Sequence, residues 1–237
     1  MTVFKLKIIA CVTMLTDHFG ASILLPMLGE SVVIMEIYML MRGIGRVAFP
    51  IFAYLIAQGC VHTKSVGKYL LRLGALAIIS EPFFDMALGG GSVDFLRDTN
   101  IFVTLFLGAA AIALYEKVRQ TFTDSYGHII GLLAVLPAMT AAWLLSSDYA
   151  HLGVGIIFLI YMMRPQSQWG RIVAVTIGMT VLYINNTNWL LFSLLSVAMI
   201  ALYNGNLGTN SPAIKWGFYF FYPVHLAALI ALRQMIF

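Results

Sequence analysis

Nine stretches of this chain carry apolar residues in runs long enough to cross a lipid bilayer, and no polar domain stands between them. They fall at about 5–25, 44–61, 69–88, 101–117, 128–146, 150–163, 171–186, 188–203 and 216–235. A hydrocarbon layer of about 30 Å takes about 20 residues of helix, so the shorter runs imply tilt, local thinning or partial insertion. The expected fold is all-α, a polytopic transmembrane helical bundle of about nine spans forming one domain over 1–237. Composition agrees. Hydrophobic residues make up 61% of the 237 positions and charged residues 10%, whereas a soluble domain carries about 25% charge. The net charge of +4 comes from basic residues scattered between apolar runs, a pattern that carries topology information and excludes nucleic acid as a partner.

Between the runs, 27–41 holds Glu30 and Glu36 among Val, Ile and Met and reads as a loop or an interfacial helix. Residues 89–99 and 204–211 read as loops, and Asn185, Asn186 and Asn188 as a tight outer turn. With nine spans, one side receives Lys5, Lys7, Lys64, Lys68, Arg72, Lys117, Arg119, Arg164, Arg171 and Lys215. The other receives Arg42, Arg46, Arg97 and Arg233. That bias places the N-terminus in the cytoplasm of a multi-pass protein of the inner (plasma) membrane. Cys11 and Cys60 lie in or beside apolar runs and read as free thiols. Ile8-Ile9-Ala10-Cys11 only loosely matches a lipoprotein box. Asp17 and His18 interrupt what would be the core of a cleavable signal, so the first run is read as an anchor.

Those two residues matter more for another reason. Counting helix rise from Lys7 puts Asp17 and His18 about 15 Å into the first run; the same count puts Glu81 and His225 near mid-bilayer on the third and last. A charge at that depth costs at least about 2.5–3.5 kcal/mol, so these groups are expected to face one another or a wet cavity. Arg42 and Arg46 share a helix face, as do Glu81 and Asp85. One reading makes these four a structural ion-pair ladder, which leaves the histidines unexplained. The prolines of Phe49-Pro50, Glu81-Pro82 and Tyr222-Pro223 each adjoin a polar group and point to a cavity. Asn100 is read as a helix cap or an inward-facing group. Tyr219 and Tyr222 are placed deep enough to reach His225. His62, Lys64, Lys68, Tyr69 and Arg72 form a basic rim, either a phosphate-binding site or an ordinary positive-inside loop. Metal signatures such as HExxH and CxxC are missing, as are GxSxG, Walker A and GxGxxG.

Thr16-Asp17-His18, the run Arg42-Gly43-Ile44-Gly45-Arg46-Val47-Ala48-Phe49-Pro50-Ile51-Phe52-Ala53, Gln58-Gly59 and His62-Thr63 resemble the TraX family. So do Lys68-Tyr69-Leu70-Leu71-Arg72-Leu73, Ile79-Ser80-Glu81-Pro82-Phe83-Phe84-Asp85, Asn100 with Phe102-Val103-Thr104-Leu105, and Phe221-Tyr222-Pro223-Val224-His225-Leu226. The likeness is dense to about residue 105, thin to about 215, and returns at the C-terminus. Gln58 departs from it, standing where an acidic residue is expected. The resemblance implies a membrane acyltransferase that moves an acetyl or other acyl group from cytoplasmic acetyl-CoA (acyl-CoA) to an amine or hydroxyl. The acceptor it implies is a pilin N-terminus, as in conjugation, or a surface glycan. No metal is implied.

Acyl transfer needs a base for the acceptor's proton and donors for the oxyanion. His18 or His225 is the candidate base. Asp17 is expected to partner His225 or an arginine, since neighbours on a helix point about 100° apart. Arg42 and Arg46 would stabilise developing charge or pair with Glu81 and Asp85. Asp85, Asn100, Tyr219 and Tyr222 are candidate acceptor contacts, and the basic rim is the candidate donor site. Two other functions fit the composition: a proton-coupled transporter relaying through Asp17, His18, Glu81 and His225, and a non-catalytic assembly factor.

Overall fold

The computed structural model describes residues 1–29, 31–122, 125–164, 168–209 and 211–237, and among them every regular element is helical, with no strand. Helix α1 (Val3–Phe19) runs on through a π-helical turn (Gly20–Leu24) and a 3-10 turn (Leu25–Met27). There follow α2 (Val32–Gly45), α3 (Ala48–His62), α4 (Val66–Ala87), α5 (Ile101–Thr121), α6 (Ser125–Leu133) and α7 (Leu136–Leu144). The chain ends with α8 (Ala150–Met162), α9 (Gln168–Leu182), α10 (Thr187–Ala201) and α11 (Pro212–Ile236).

Start signals are readable in the residues. Thr2, Ser31, Asn100, Asn186 and Ser211 each accept a hydrogen bond from a backbone N–H of the helix they precede, satisfying donors that have no partner inside the helix. Pro212 adds a ring already set at helical φ. The two expected loops are there: no described residue between α4 and α5, or between α10 and α11, is helical.

For the stretch 27–41, read as a loop or an interfacial helix, the structure takes the helical alternative over most of its length. Glu30 lies outside the described residues, and from Val32 onward the chain is helical. Helices α2 and α3 form one apolar segment, Val32–His62, interrupted only at Arg46-Val47. There the N–H of Arg46 donates to Gly43 and that of Val47 to Ile44, bonds one residue shorter than α-helical. Gly43, Gly45 and Pro50 flank the break, the residue types that interrupt helices. Glu36 sits among apolar residues within α2, and one acid does not stop a helix.

Among the described residues, five helical segments are long and apolar enough to cross a membrane: Val3–Met27, Val32–His62, Ile101–Thr121, Tyr126–Leu144 and Pro212–Ile236. Shorter apolar helices cover Ala150–Met162, Trp169–Leu182 and Thr187–Ala201. Helix α4 carries Lys68, Arg72, Glu81 and Asp85. The side-chain pattern is that of a membrane protein. Large apolar groups such as Leu71, Ile78, Leu133, Leu144 and Leu191 are exposed, while Glu81, Asp85, Asn100, His18 and His225 are buried. Water would favour the reverse.

The chain divides into two compact units. The first comprises Met1–Phe52, Pro82–Val93 and Arg171–Phe237, the second Ala53–Glu81 and Asp94–Gly170. In the first, α1 lies against α2 and α11, and α10 lies against α2. Gly43 makes room for Phe192, whose ring a Cβ there would meet at 2.6 Å. In the second, α5 packs on α6, α7 and α8, and a Cβ on Gly108 would lie 2.6 Å from Ile157 Cδ1 and 3.0 Å from its Cγ2.

Gly108→Ala should therefore overpack the α5–α8 contact and cost about 1–3 kcal/mol. Combining it with Ile157→Ala should cost less than the sum of the two, measured by thermal unfolding in detergent. Strict additivity would mean the two residues do not meet.

Candidate functional site

Helix α1 delivers Asp17 and His18 on adjacent positions, and in the first unit they take different partners. Asp17 points to α2. Its Oδ2 accepts from Arg42 Nη1 at 2.8 Å and its Oδ1 from Arg46 Nη2 at 2.7 Å, so one carboxylate is gripped by two guanidiniums. The two arginines stand one turn apart, and Arg46 Nε also donates to the carbonyl of Arg42 at 3.0 Å. Gly45 is what lets this face approach, because a Cβ there would overlap the Asp17 carboxylate. The guanidinium of Arg46 lies over the Trp189 ring at 4.9 Å. Of the two partners expected for Asp17, the structure supplies the arginines.

His18 points to α11. Its Nδ1 lies 2.7 Å from Nε2 of His225, with the rings nearly parallel at 14°. His225 Nδ1 in turn lies 2.8 Å from the carbonyl oxygen of Phe221. That oxygen can only accept, so His225 carries its proton on Nδ1. In a neutral ring Nε2 is then a bare acceptor, and the proton between the histidines belongs to His18 Nδ1. The chain of bonds leaves His18 Nε2 as a lone pair, and it makes no hydrogen bond among the described residues. Tyr222 stands edge-on to both imidazoles, at 5.8 and 5.4 Å. Tyr219 does not join them. Six residues before His225, about 9 Å along the axis, its ring packs on Trp216 at 5.7 Å instead.

Asp85, also in the first unit, is buried at 3% exposure. Its carbonyl receives the N–H groups of Gly89 and Gly91, both at 3.0 Å, and so closes α4. Gly90 and Gly91 take positive φ there, +85° and +98°, which glycine adopts without steric cost.

In the second unit Glu81 and Asn100 are buried at 1% and 0% exposure. Glu81 Oε2 accepts from Asn100 Nδ2 at 2.5 Å and from its backbone N–H at 3.1 Å, while Nδ2 also donates to the Ala77 carbonyl. Asn100 Oδ1 takes the N–H of Phe102. Asn100 therefore both caps α5 and faces inward. At the α3–α4 turn His62, Lys64 and Lys68 are exposed. Tyr69 is buried, and Arg72 lies over its ring at 5.8 Å. Arg72 Nε is buried with no hydrogen-bond partner. Exposed lysines and a histidine near a guanidinium N–H still owed a bond are a donor set that suits phosphates.

A family model described as TraX protein matches residues 4–233. The chain belongs to the TraX family. It is also 25% identical over 246 residues to the protein named "Probable fimbrial assembly protein FimC, serogroup H1" of Dichelobacter nodosus, an alignment covering 98% of this chain and 96% of the relative. No solved structure matches. Asp17 and the two histidines fall in two of the motifs that resemble TraX, Thr16-Asp17-His18 and Phe221–Leu226, with the arginines in a third and Asp85 in a fourth.

Some polar groups had no sequence-level signal. Trp189 became visible only through its packing on Arg46. Ser22 is buried with no hydrogen bond to its Oγ. In the second unit Glu116 pairs with Arg119 at 2.7 Å and Arg164 at 3.6 Å and receives the Tyr161 hydroxyl. Only the Glu116–Arg119 spacing was readable in advance. Among the described residues no group of three or more His, Cys, Asp or Glu is arranged to hold a metal ion.

Removing Asp17 strips the carboxylate from two guanidiniums, whereas removing Arg42 leaves Arg46 on Asp17. Asp17→Ala should thus destabilise the protein by about 3–5 kcal/mol and Arg42→Ala by clearly less. Thermal unfolding in detergent tests the order, and equal losses would contradict the shared clamp.

Proposed function

We propose that this TraX-family protein is an integral membrane acyltransferase that moves an acetyl or other acyl group from acyl-CoA to an amine or hydroxyl acceptor. The observation that carries the reading is the directed bond chain Phe221–His225–His18, which presents one unprotonated imidazole nitrogen, His18 Nε2. A general base needs such a nitrogen. The acceptor's N–H or O–H proton passes to His18 Nε2 as its N or O bonds to the acyl carbon. The thioester C–S bond then breaks, and the CoA sulfur leaves with the proton from His18. His225 holds the tautomer and shares the charge His18 gains. Asp17 keeps Arg42 and Arg46 in place near the base, where they oppose negative charge.

We assign the donor's phosphates to His62, Lys64, Lys68 and Arg72, on the cytoplasmic side of a nine-span arrangement whose N-terminus is cytoplasmic. The FimC relative is named for fimbrial assembly, which favours a pilin as acceptor. A surface glycan is the other candidate.

Membranes from a strain lacking the gene hold the unmodified acceptor. Added to purified protein and acetyl-CoA, they should trigger release of the CoA thiol, and His18→Ala should abolish release in protein that remains folded. Full activity of His18→Ala would remove His18 from the chemistry. No release by the wild type, together with pH-gradient-driven solute uptake in proteoliposomes, would replace the enzyme with a transporter.

Lys68→Ala combined with Arg72→Ala should raise the apparent KM for acetyl-CoA more than it lowers kcat, as expected for contacts made alike in ground and transition states. An unchanged KM would place the phosphates elsewhere.

A further inference from the structure

Hydroxyls on α1 ordinarily bond to their own helix. Thr13 Oγ1 donates to the carbonyls of Ile9 and Ala10, and Thr16 Oγ1 to that of Val12 at 3.0 Å. Ser22, farther along the same rod, does not. It is buried at 1% exposure and its Oγ has no hydrogen-bond partner. The backbone explains the difference. Ser22 lies within the π-helical turn Gly20–Leu24, after which the N–H of Leu25 reaches back five residues to Gly20. In that wider turn the carbonyl four residues back no longer sits beneath the hydroxyl, so the usual internal bond is lost. A buried hydroxyl kept without a partner costs stability, and a fold retains one where something else fills it.

Position decides what that something is. Ser22 follows His18 by four residues, about one turn, on the face of α1 that carries the base. Ser80 in the second unit is likewise buried without a bond, but no histidine lies one turn from it. The π-helical turn begins two residues after His18, and such turns are frequent at functional sites.

We propose that Ser22 Oγ–H is a hydrogen-bond donor to the substrate in the His18 site, directed at the acyl carbonyl oxygen. As the acceptor attacks, that oxygen gains negative charge, and the Ser22 hydroxyl stabilises it without forming a covalent bond. This rests on the acyltransferase reading and adds a residue that contacts the reacting group.

The test uses full-length protein in detergent, acetyl-CoA, and membranes from the gene-deleted strain as acceptor. Ser22→Ala should lower kcat by about 100-fold, the effect of losing one oxyanion donor. KM for acetyl-CoA should stay put, and the thermal midpoint should hold or rise because the unbonded hydroxyl is gone. Ser22→Cys, similar in size with a weaker donor, should fall between. A more stable Ser22→Ala protein with wild-type kcat would show that the hydroxyl is only packing, and would overturn the proposal while leaving the acyltransferase intact. Wild type without thiol release would sink both. Intact-mass analysis of wild type incubated with acetyl-CoA alone should show no adduct, and an acetyl group on Ser22 would overturn the donor role in favour of a nucleophile.

Discussion

A carboxylate held between two guanidiniums is the constraint around which the first unit is organised. Asp17 binds Arg42 at 2.8 Å and Arg46 at 2.7 Å within segments apolar enough to cross a membrane. Charges there survive only when paired and hydrogen-bonded, and removing one partner leaves the other exposed to a medium that cannot solvate it. The pairing therefore sets the register of α1 against α2. That register requires Gly45 beside the carboxylate and brings Gly20 to within 3.3 Å, as a Cβ would measure it, of Met41. Small residues at these points allow the backbones to approach, as elsewhere in membrane bundles.

With Asp17 committed to α2, His18 is turned toward a different helix, and the consequence is chemical. Two histidines that are hydrogen-bonded to each other carry no direction by themselves. The Phe221 carbonyl supplies it, because an oxygen that cannot donate fixes every proton in the chain behind it. Pro223 lies inside α11 between Phe221 and His225, and the helix continues through it. The irregular backbone of this unit gathers near these groups, with the π-helical turn after His18 and the break at Arg46-Val47.

Much of this was legible beforehand, for reasons specific to lipid. Apolar run length marks helices strongly where water is absent, and each of the nine runs is helical over most of its length. Depth counting brought out Asp17, His18 and His225 because ionisable groups are rare in such runs. Asn100 was readable as a cap from its place before an apolar run. What failed depended on direction, which spacing alone does not set. The start of α2 at Val32 was not fixed, since 27–41, with Glu36 among apolar residues, read as either a loop or an interfacial helix. Tyr219 and Tyr222 both seemed within reach of His225, but only the one three residues away shares its face. The orphan at Ser22 was invisible, because a π-helical turn leaves no compositional mark. Had α1 stayed regular, that serine would read as one more self-satisfied hydroxyl like Thr13.

The same contrast bears on what the arginines do besides anchoring one helix to another. Two apolar side chains of similar volume would join α1 to α2 at lower desolvation cost, since buried ion pairs seldom stabilise more than hydrophobic contacts of their size. One carboxylate between two guanidiniums, with a tryptophan ring over one of them, is a costlier join, and hydrogen bonds rather than shape alone fix its geometry. In the acyl transfer proposed above, guanidiniums held in this place would oppose negative charge gathering on a substrate oxygen. On that proposal, the clamp that joins the two helices also serves the chemistry next to it.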